Sequence, residues 1–241
     1  MTDLQRQQAL ITEFWNERGA TYEDQAIHRV QDEAEQRVWQ DTLRTLLPPP
    51  PAQVVDVGTG TGYLAFIVAD AGYQVTGVEI ADGMLGVAQA KAAAQPNSPT
   101  FIKGDAMDPP LPAASADALV SRQVIWTLVD PARALSSWFR LLRPRGRVVA
   151  FHGSPASQQD RLPNSVANPR WRDAWEKRYT PEVLANLPLR HNPTLDPVVE
   201  PARAAGFVDV EIVRLEAIES FEKQQGLRDL IWLALVGTRP A

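Results

Sequence analysis

The sequence predicts an α/β protein: a mostly parallel seven-stranded sheet with helices on both faces and an antiparallel strand at one edge. Three observations carry this. Short β-branched runs alternate with amphipathic helical segments from Gln53 to Phe151. The intervening helices have the length that right-handed crossovers between parallel strands need. A glycine cluster, Gly58-Thr59-Gly60-Thr61-Gly62, closes the first run. With 241 residues, 44% of them hydrophobic, the chain is long enough to bury a core without disulfides, and it has no cysteine to form any. One domain over 1–241 is expected.

Two helices are expected between Leu4 and Leu47, the second with Ile27, Val30, Ala34 and Val38 on one face. Pro48 to Pro51 ends this cap (1–47) as a short stiff spacer, because proline cannot continue a helix. The core (52–152) then reads as strand Gln53–Val57, a helix carrying Leu64, Ile67, Val68 and Ala71, and a stop at Gly72. Gln74–Glu79 is the second strand, followed by a helix that Asp82 can cap. Thr100–Lys103 and Asp117–Ser121 are the third and fourth strands. Asp130-Pro131 opens a helix with the stripe Leu135, Trp138, Phe139 and Leu142, and Pro144-Arg145-Gly146 turns into the fifth strand, Arg147–Phe151. Residues 153–196 break the alternation as an insertion, with Trp171, Trp175 and Tyr179 at helical spacing and a further helix start at Thr180-Pro181-Glu182. The closing segment (197–241) has a short or bent helix containing Pro201 and ending at Gly206. Strands Phe207–Leu215 and Asp229–Gly237 follow, expected to form an antiparallel hairpin.

The formal net charge of −5 argues against a nucleic-acid or anionic-membrane partner, since phosphates are met by clustered Lys and Arg. Without cysteine, thiol catalysis and Cys-ligated metals are excluded, and His28, His152 and His191 show no metal-ligand spacing, so no metal is expected. The N-terminus lacks a signal-peptide pattern and no apolar run reaches a membrane span, so a cytoplasmic location is expected. The chemistry concentrates at the strand ends. Glycines after the first strand let a ligand approach the backbone, beside the free N–H groups of a helix start. Asp56 stands just before them, where a carboxylate repels a pyrophosphate and attracts a cationic amino group. Glu79 ends the second strand, placed to accept from two ribose hydroxyls, a feature that suits NAD equally well. Gly104-Asp105-Ala106 follows the third, where an acid can accept from an adenine amino group. Three acids after three successive parallel strands suit a sulfonium-bearing nucleoside without phosphate.

On these residues the chain resembles the class I S-adenosylmethionine-dependent methyltransferases, over about Phe14 to Gly153 and more weakly in the closing strands. The resemblance implies a Rossmann-like fold, with 52–152 as the cofactor-binding core and 153–196 as a substrate lid. It implies S-adenosylmethionine as cofactor, with S-adenosylhomocysteine as product. Asp56, Gly58, Thr59, Gly60 and Gly62 would form the glycine motif, with Glu79 on the ribose. Ile80 and Met84 would pack near the adenine, Asp105 and Ala106 at its edge, and Arg122 and Gln123 beside the methionine part. Leu141 to Arg147 is similar to the family's Pro-Gly-Gly turn, with Arg145 in place of the first glycine. Phe14 to Tyr22 resembles the entry of the ubiquinone/menaquinone-type members, where the tyrosine lies over the cofactor.

Acceptor identity is not fixed by fold or cofactor. A small aromatic or heterocyclic molecule methylated on nitrogen is expected, because a neutral ring nitrogen needs no strong base; O-methylation of a quinone- or phenol-type metabolite is the alternative. Arg122, His152 and His28 are the catalytic candidates; Trp15, Trp126, His152, Trp171, Trp175 and Tyr179 are the acceptor-site candidates. Asp108-Pro109-Pro110 follows the third strand rather than the fourth and lacks the aromatic of nucleic-acid amino-methyltransferases, so it reads as a stiff turn. A nicotinamide-dependent oxidoreductase is the second reading, opposed by Asp56 and by the lack of a Tyr-x-x-x-Lys pair; a non-catalytic binding protein is the third. The expected partner is the small acceptor, and the expected state is monomer or homodimer.

Overall fold

A computed structural model describes residues 2–24, 30, 32–96, 98–155, 169–187, 189, 194–227 and 230–241. Seven strands form one sheet: β1 (Gln53–Val57), β2 (Gln74–Glu79), β3 (Thr100–Lys103), β4 (Ala116–Arg122), β5 (Leu142–Pro155), β6 (Val208–Arg214) and β7 (Leu230–Thr238). The spatial order is β3-β2-β1-β4-β5-β7-β6. The first five pair in parallel, and β7 runs antiparallel to both β5 and β6. Around the sheet stand α1 (Asp3–Arg18), α2 (Glu33–Leu46), α3 (Tyr63–Asp70), α4 (Asp82–Ala93), α5 (Pro131–Leu141), α6 (Pro169–Arg178), α7 (Pro181–Ala185), α8 (Asp196–Ala204) and α9 (Glu216–Gln224). Short 3₁₀ turns occupy Gly19–Asp24 and Ile125–Thr127.

Each face of the sheet carries its own apolar layer, and strand alternation divides the residues between them. Val148 and Ala150 join Leu135 and Trp138 of α5, Val198 of α8 and Phe14 of α1 on one face. Val149 and Phe151 join Trp39 and Leu43 of α2, Leu64 and Ile67 of α3 and Ile218 of α9 on the other. The indole N–H groups buried in these layers are met: Trp138 Nε1 donates to the Ala106 carbonyl (2.7 Å) and Trp232 Nε1 to Glu222 (2.9 Å). Asp130 and Thr180 cap α5 and α7, each followed by proline at the helix start.

Several expectations are corrected. Asp32 caps α2, accepting from the backbone of Ala34 and Glu35, so the helix starts after Val30, and Ile27 lies outside the described residues. Its buried face is Glu35, Trp39, Leu43 and Leu46 rather than the Ala34–Val38 face, because the large indole gains most from burial. Ala81, not Asp82, is the cap of α4; Asp82 is its first residue and pairs with Lys103. The closing strands pair antiparallel, but α9 joins them where a hairpin turn was expected. β5 begins five residues early, at Leu142, and residues 143–146 bulge out against Asp117. In that bulge Arg145 takes the left-handed conformation itself (φ 66°), a cost of about 1–2 kcal/mol for a residue with a Cβ. Paired hydrogen bonds offset it, from Arg145 N to the Arg239 carbonyl and from Arg239 N to the Gly146 carbonyl, both 2.8 Å.

Candidate functional site

The carboxyl ends of β1 to β4 open into one cleft, the position where open parallel sheets bind ligands. At its floor the loop after β1 is pinned to β2: Gly58 N and Thr59 N both donate to the Val78 carbonyl, at 2.8 and 3.0 Å. Gly60 has φ 58°, and no atom lies within 4 Å of where its Cβ would stand, so the backbone there is bare toward the cleft. Glu79 is buried below it. One carboxylate oxygen accepts from Gly60 N (2.9 Å) and the other from Ala81 N (2.8 Å). Burial raises its pKa, and these backbone N–H groups pull the other way. Asp105 accepts from Met107 N (2.8 Å), and burial raises its pKa as well.

The roof comes from α1 and the turn after it. Gln8, Ile11 and Trp15 line the cleft along one face of α1, and Tyr22 lines it from the turn. This cap is fastened at the α4 end. Asn16 Oδ1 accepts from Gly83 N (3.1 Å). A Cβ on Gly83 would stand 2.2 Å from the Asn16 carbonyl oxygen, and one on Gly19 2.2 Å from the Gly83 carbonyl carbon. Two glycines therefore let α1 and α4 touch backbone to backbone. Lys91 adds a second tie, donating to Glu23 (2.7 Å) and to the Thr61 carbonyl (3.0 Å).

Among the cofactor candidates, Tyr22, Gly58, Gly60, Glu79, Ile80, Met84, Asp105, Ala106, Arg122 and Gln123 line this cleft. Asp56, Thr59 and Gly62 do not. Asp56 lies beneath the loop, 1% exposed, accepting from Thr59 Oγ1 at 2.6 Å. Burial lifts its pKa from 3.8 to about 7, Glu79 adding to the rise while Thr59 and Arg122 oppose it. The Arg122 guanidinium sits in an aromatic cage, 4.0 Å from the Tyr63 ring centroid, 5.3 Å from Trp232 and 5.5 Å from Trp39.

Of the acceptor-site candidates, only Trp15 lines the cleft. Trp175 and Tyr179 stack on each other (3.7 Å, 7°), Trp126 stacks on Tyr179, and Phe14 meets the pair edge-on. These rings glue α6 to α1 instead of forming a wall, and Trp171 lies against the Arg18 guanidinium. His152 is likewise buried away from the cleft wall, 6% exposed, its Nδ1 without a hydrogen-bond partner and its pKa lowered to about 4 by burial. His28 and His191 lie outside the described residues. Sequence reasoning missed Gln8, Ile11, Val124, Thr127 and Leu128 as lining residues. For the first two a signal existed, since Gln8, Ile11 and Trp15 share one helical face at i, i+3 and i+7. No metal-binding group of His, Asp and Glu exists among the described residues, and no helix among them is long and apolar enough to cross a membrane.

Residues 55–150 match the family described as "Methyltransferase domain". A malonyl-[acyl-carrier protein] O-methyltransferase of Serratia marcescens is 33% identical over 140 residues, which cover 58% of this chain and 50% of that one. The chain thus spans about half the length of that relative. A demethylmenaquinone methyltransferase of Symbiobacterium thermophilum is 30% identical over 181 residues, covering 67% of this chain and 70% of that one. Among solved structures, phosphoethanolamine N-methyltransferase 2 of Haemonchus contortus, in complex with S-adenosyl-L-methionine, superposes with a TM-score of 0.59 at 20% identity, covering 85% of this chain and 52% of that one. That likeness is one of fold.

Proposed function

The chain belongs to the class I S-adenosylmethionine-dependent methyltransferases, and on that premise we propose that it methylates a nitrogen, or an oxygen, of a small acceptor molecule. One observation carries the reading. The ends of four adjacent strands bring bare glycine backbone, a buried carboxylate and a second acid to one cleft roofed by aromatic rings. The residues fit the cofactor: Gly60 leaves open space where a side chain would stand, and Glu79 is held at its side by the same backbone. Glu79 would take the ribose hydroxyls, since a carboxylate offers about four acceptor positions and the backbone N–H groups of Gly60, Ile80 and Ala81 leave room on it. Asp105 and Ala106 would meet the adenine edge, with Ile80 and Met84 packing against the ring. Trp15 and Tyr22 would cover the cationic centre, each aromatic face contributing about 0.5–2 kcal/mol. When bound, the cofactor supplies an already activated methyl group.

The chain's own part is then alignment and exclusion of water. The lining holds no imidazole among the described residues, and the acids on it are the two assigned to the nucleoside. Nitrogen is the preferred target on that ground, because its lone pair is free without a base. O-methylation is the second reading, favoured by the printed activity of the Serratia relative. The test is calorimetry with S-adenosylhomocysteine, with NADH as control, followed by a mass-spectrometric screen of heteroaromatic metabolites for gain of one methyl. Heat with the first compound only, and a methylated product, are expected. Absence of heat with S-adenosylhomocysteine refutes the reading; a C–O–CH3 signal in the product NMR spectrum selects oxygen.

A further inference from the structure

One ammonium joins three parts of the chain. Lys91, near the end of α4, donates to the Glu23 carboxylate (2.7 Å) and to the Thr61 carbonyl (3.0 Å), and its Nζ stands 5.0 Å from the centroid of the Phe66 ring. Glu23 belongs to the turn after α1, Thr61 to the glycine loop after β1, and Phe66 to α3. An ammonium has three N–H donors, so a carboxylate, a carbonyl and an aromatic face suffice for it. The Lys91 and Glu23 side chains are 31% and 26% exposed, against 64% and 88% for the Arg37–Glu33 pair on α2. Less water around the pair means weaker screening and a stronger attraction.

The placement of these contacts gives them a consequence for the cleft. Lys91, Glu23 and Thr61 do not line it, but each partner adjoins a residue that does: Glu23 follows Tyr22 of the roof, and Thr61 follows Gly60 of the floor. The ammonium therefore ties roof to floor from outside the space the cofactor would fill. It also stands eight residues after Gly83 on α4, about 12 Å along that helix, so the cap is fastened to α4 at two separate places. The Gly83 tie is a close approach of backbones and holds α1; the Lys91 tie is electrostatic and holds the turn that carries Tyr22. We propose that Lys91 is a positioning residue for the cofactor: it fixes the spacing between Tyr22 and Gly60, and breaking its pair with Glu23 is the step that releases the bound nucleoside. This rests on the methyltransferase reading and deepens it, assigning retention of the cofactor to a residue that does not touch it.

The experiment measures dissociation of S-adenosylhomocysteine from the full chain by surface plasmon resonance. Lys91→Met, which keeps an apolar stem beside Phe66 and removes the charge, should speed dissociation about fivefold, and Glu23→Gln about threefold. The double variant should match Lys91→Met rather than multiply the two effects, because both substitutions remove one interaction. Raising NaCl from about 0.05 M to about 1 M should carry the wild-type rate toward that of the variants and leave the Lys91→Met rate unchanged. A wild-type rate in either single variant, effects that multiply in the double variant, or an equal salt slope in wild type and Lys91→Met overturns the proposal. If Lys91→Met does not fold, Glu23→Gln carries the same comparison of rate and salt slope. Failure of the wild type to bind S-adenosylhomocysteine refutes the methyltransferase reading itself, and the two failures are thereby told apart.

Discussion

Asp56→Asn exchanges a buried carboxyl for a group of the same shape that cannot ionise. In the folded chain burial lifts the Asp56 pKa from 3.8 to about 7, with Glu79 adding to the rise and Thr59 and Arg122 opposing it. A rise of that size corresponds to about 4 kcal/mol of penalty on the ionised form, the order of magnitude set by 1.36 kcal/mol per pKa unit. Because the folded pKa exceeds the unfolded one, the folded state holds the proton more tightly. The resulting stability is fully present below 3.8, erodes between there and about 7, and is gone above. Urea denaturation of wild type and variant, without ligand, should therefore show the wild type losing ground to Asp56→Asn by up to about 4 kcal/mol between about pH 4 and about pH 8. Titration of groups not coupled to Asp56 cancels in that difference, while Glu79, whose charge is coupled to it, does not. A difference that stays flat with pH would refute the buried, proton-holding Asp56.

Glu79→Gln leaves Gly60 N and Ala81 N facing an amide and should weaken S-adenosylhomocysteine binding by about 1–3 kcal/mol in calorimetry; unchanged affinity would remove Glu79 from the ligand. Gly83→Ala would press a methyl 2.2 Å from the Asn16 carbonyl oxygen, and should cost about 1–3 kcal/mol of stability as α1 is pushed from α4. A thermal melt at the wild-type temperature would show that the two helices are not in contact. His152 is neutral across the physiological range, so the pH–rate profile with any acceptor found should lack a limb near pH 6.5 that His152→Gln abolishes; finding one would place the imidazole in the cleft.

What could be read from the chain follows local physics. Strand alternation and the Gly58–Gly62 cluster are consequences of neighbouring residues, and the parallel sheet and its site edge follow from them. Asp105 and Glu79 were legible because the end of a strand is a fixed place. The aromatic residues were not: Trp175 and Tyr179 share a helical face in sequence, but whether that face meets a ligand or Phe14 depends on how α6 lies on α1. Arg122 was legible in position, since the end of β4 brings it to the cleft; the rings packed around its guanidinium, Trp39 and Trp232, come from opposite ends of the chain and were not. His152 stands at the strand end, but packing buries its side chain to 6% exposure outside the cleft lining, which depends on neighbours distant in the chain.

The glycine seam between α1 and α4 makes the roof a lever with its pivot at one end. The backbones touch where Gly83 meets the Asn16 carbonyl, and Gln8 stands about 12 Å up the helix from there. Tilting the helix by some five degrees about that pivot displaces Gln8 by about 1 Å, while Trp15, near the fulcrum, scarcely moves. Adjusting the aperture at the far end thus leaves the nucleoside end undisturbed.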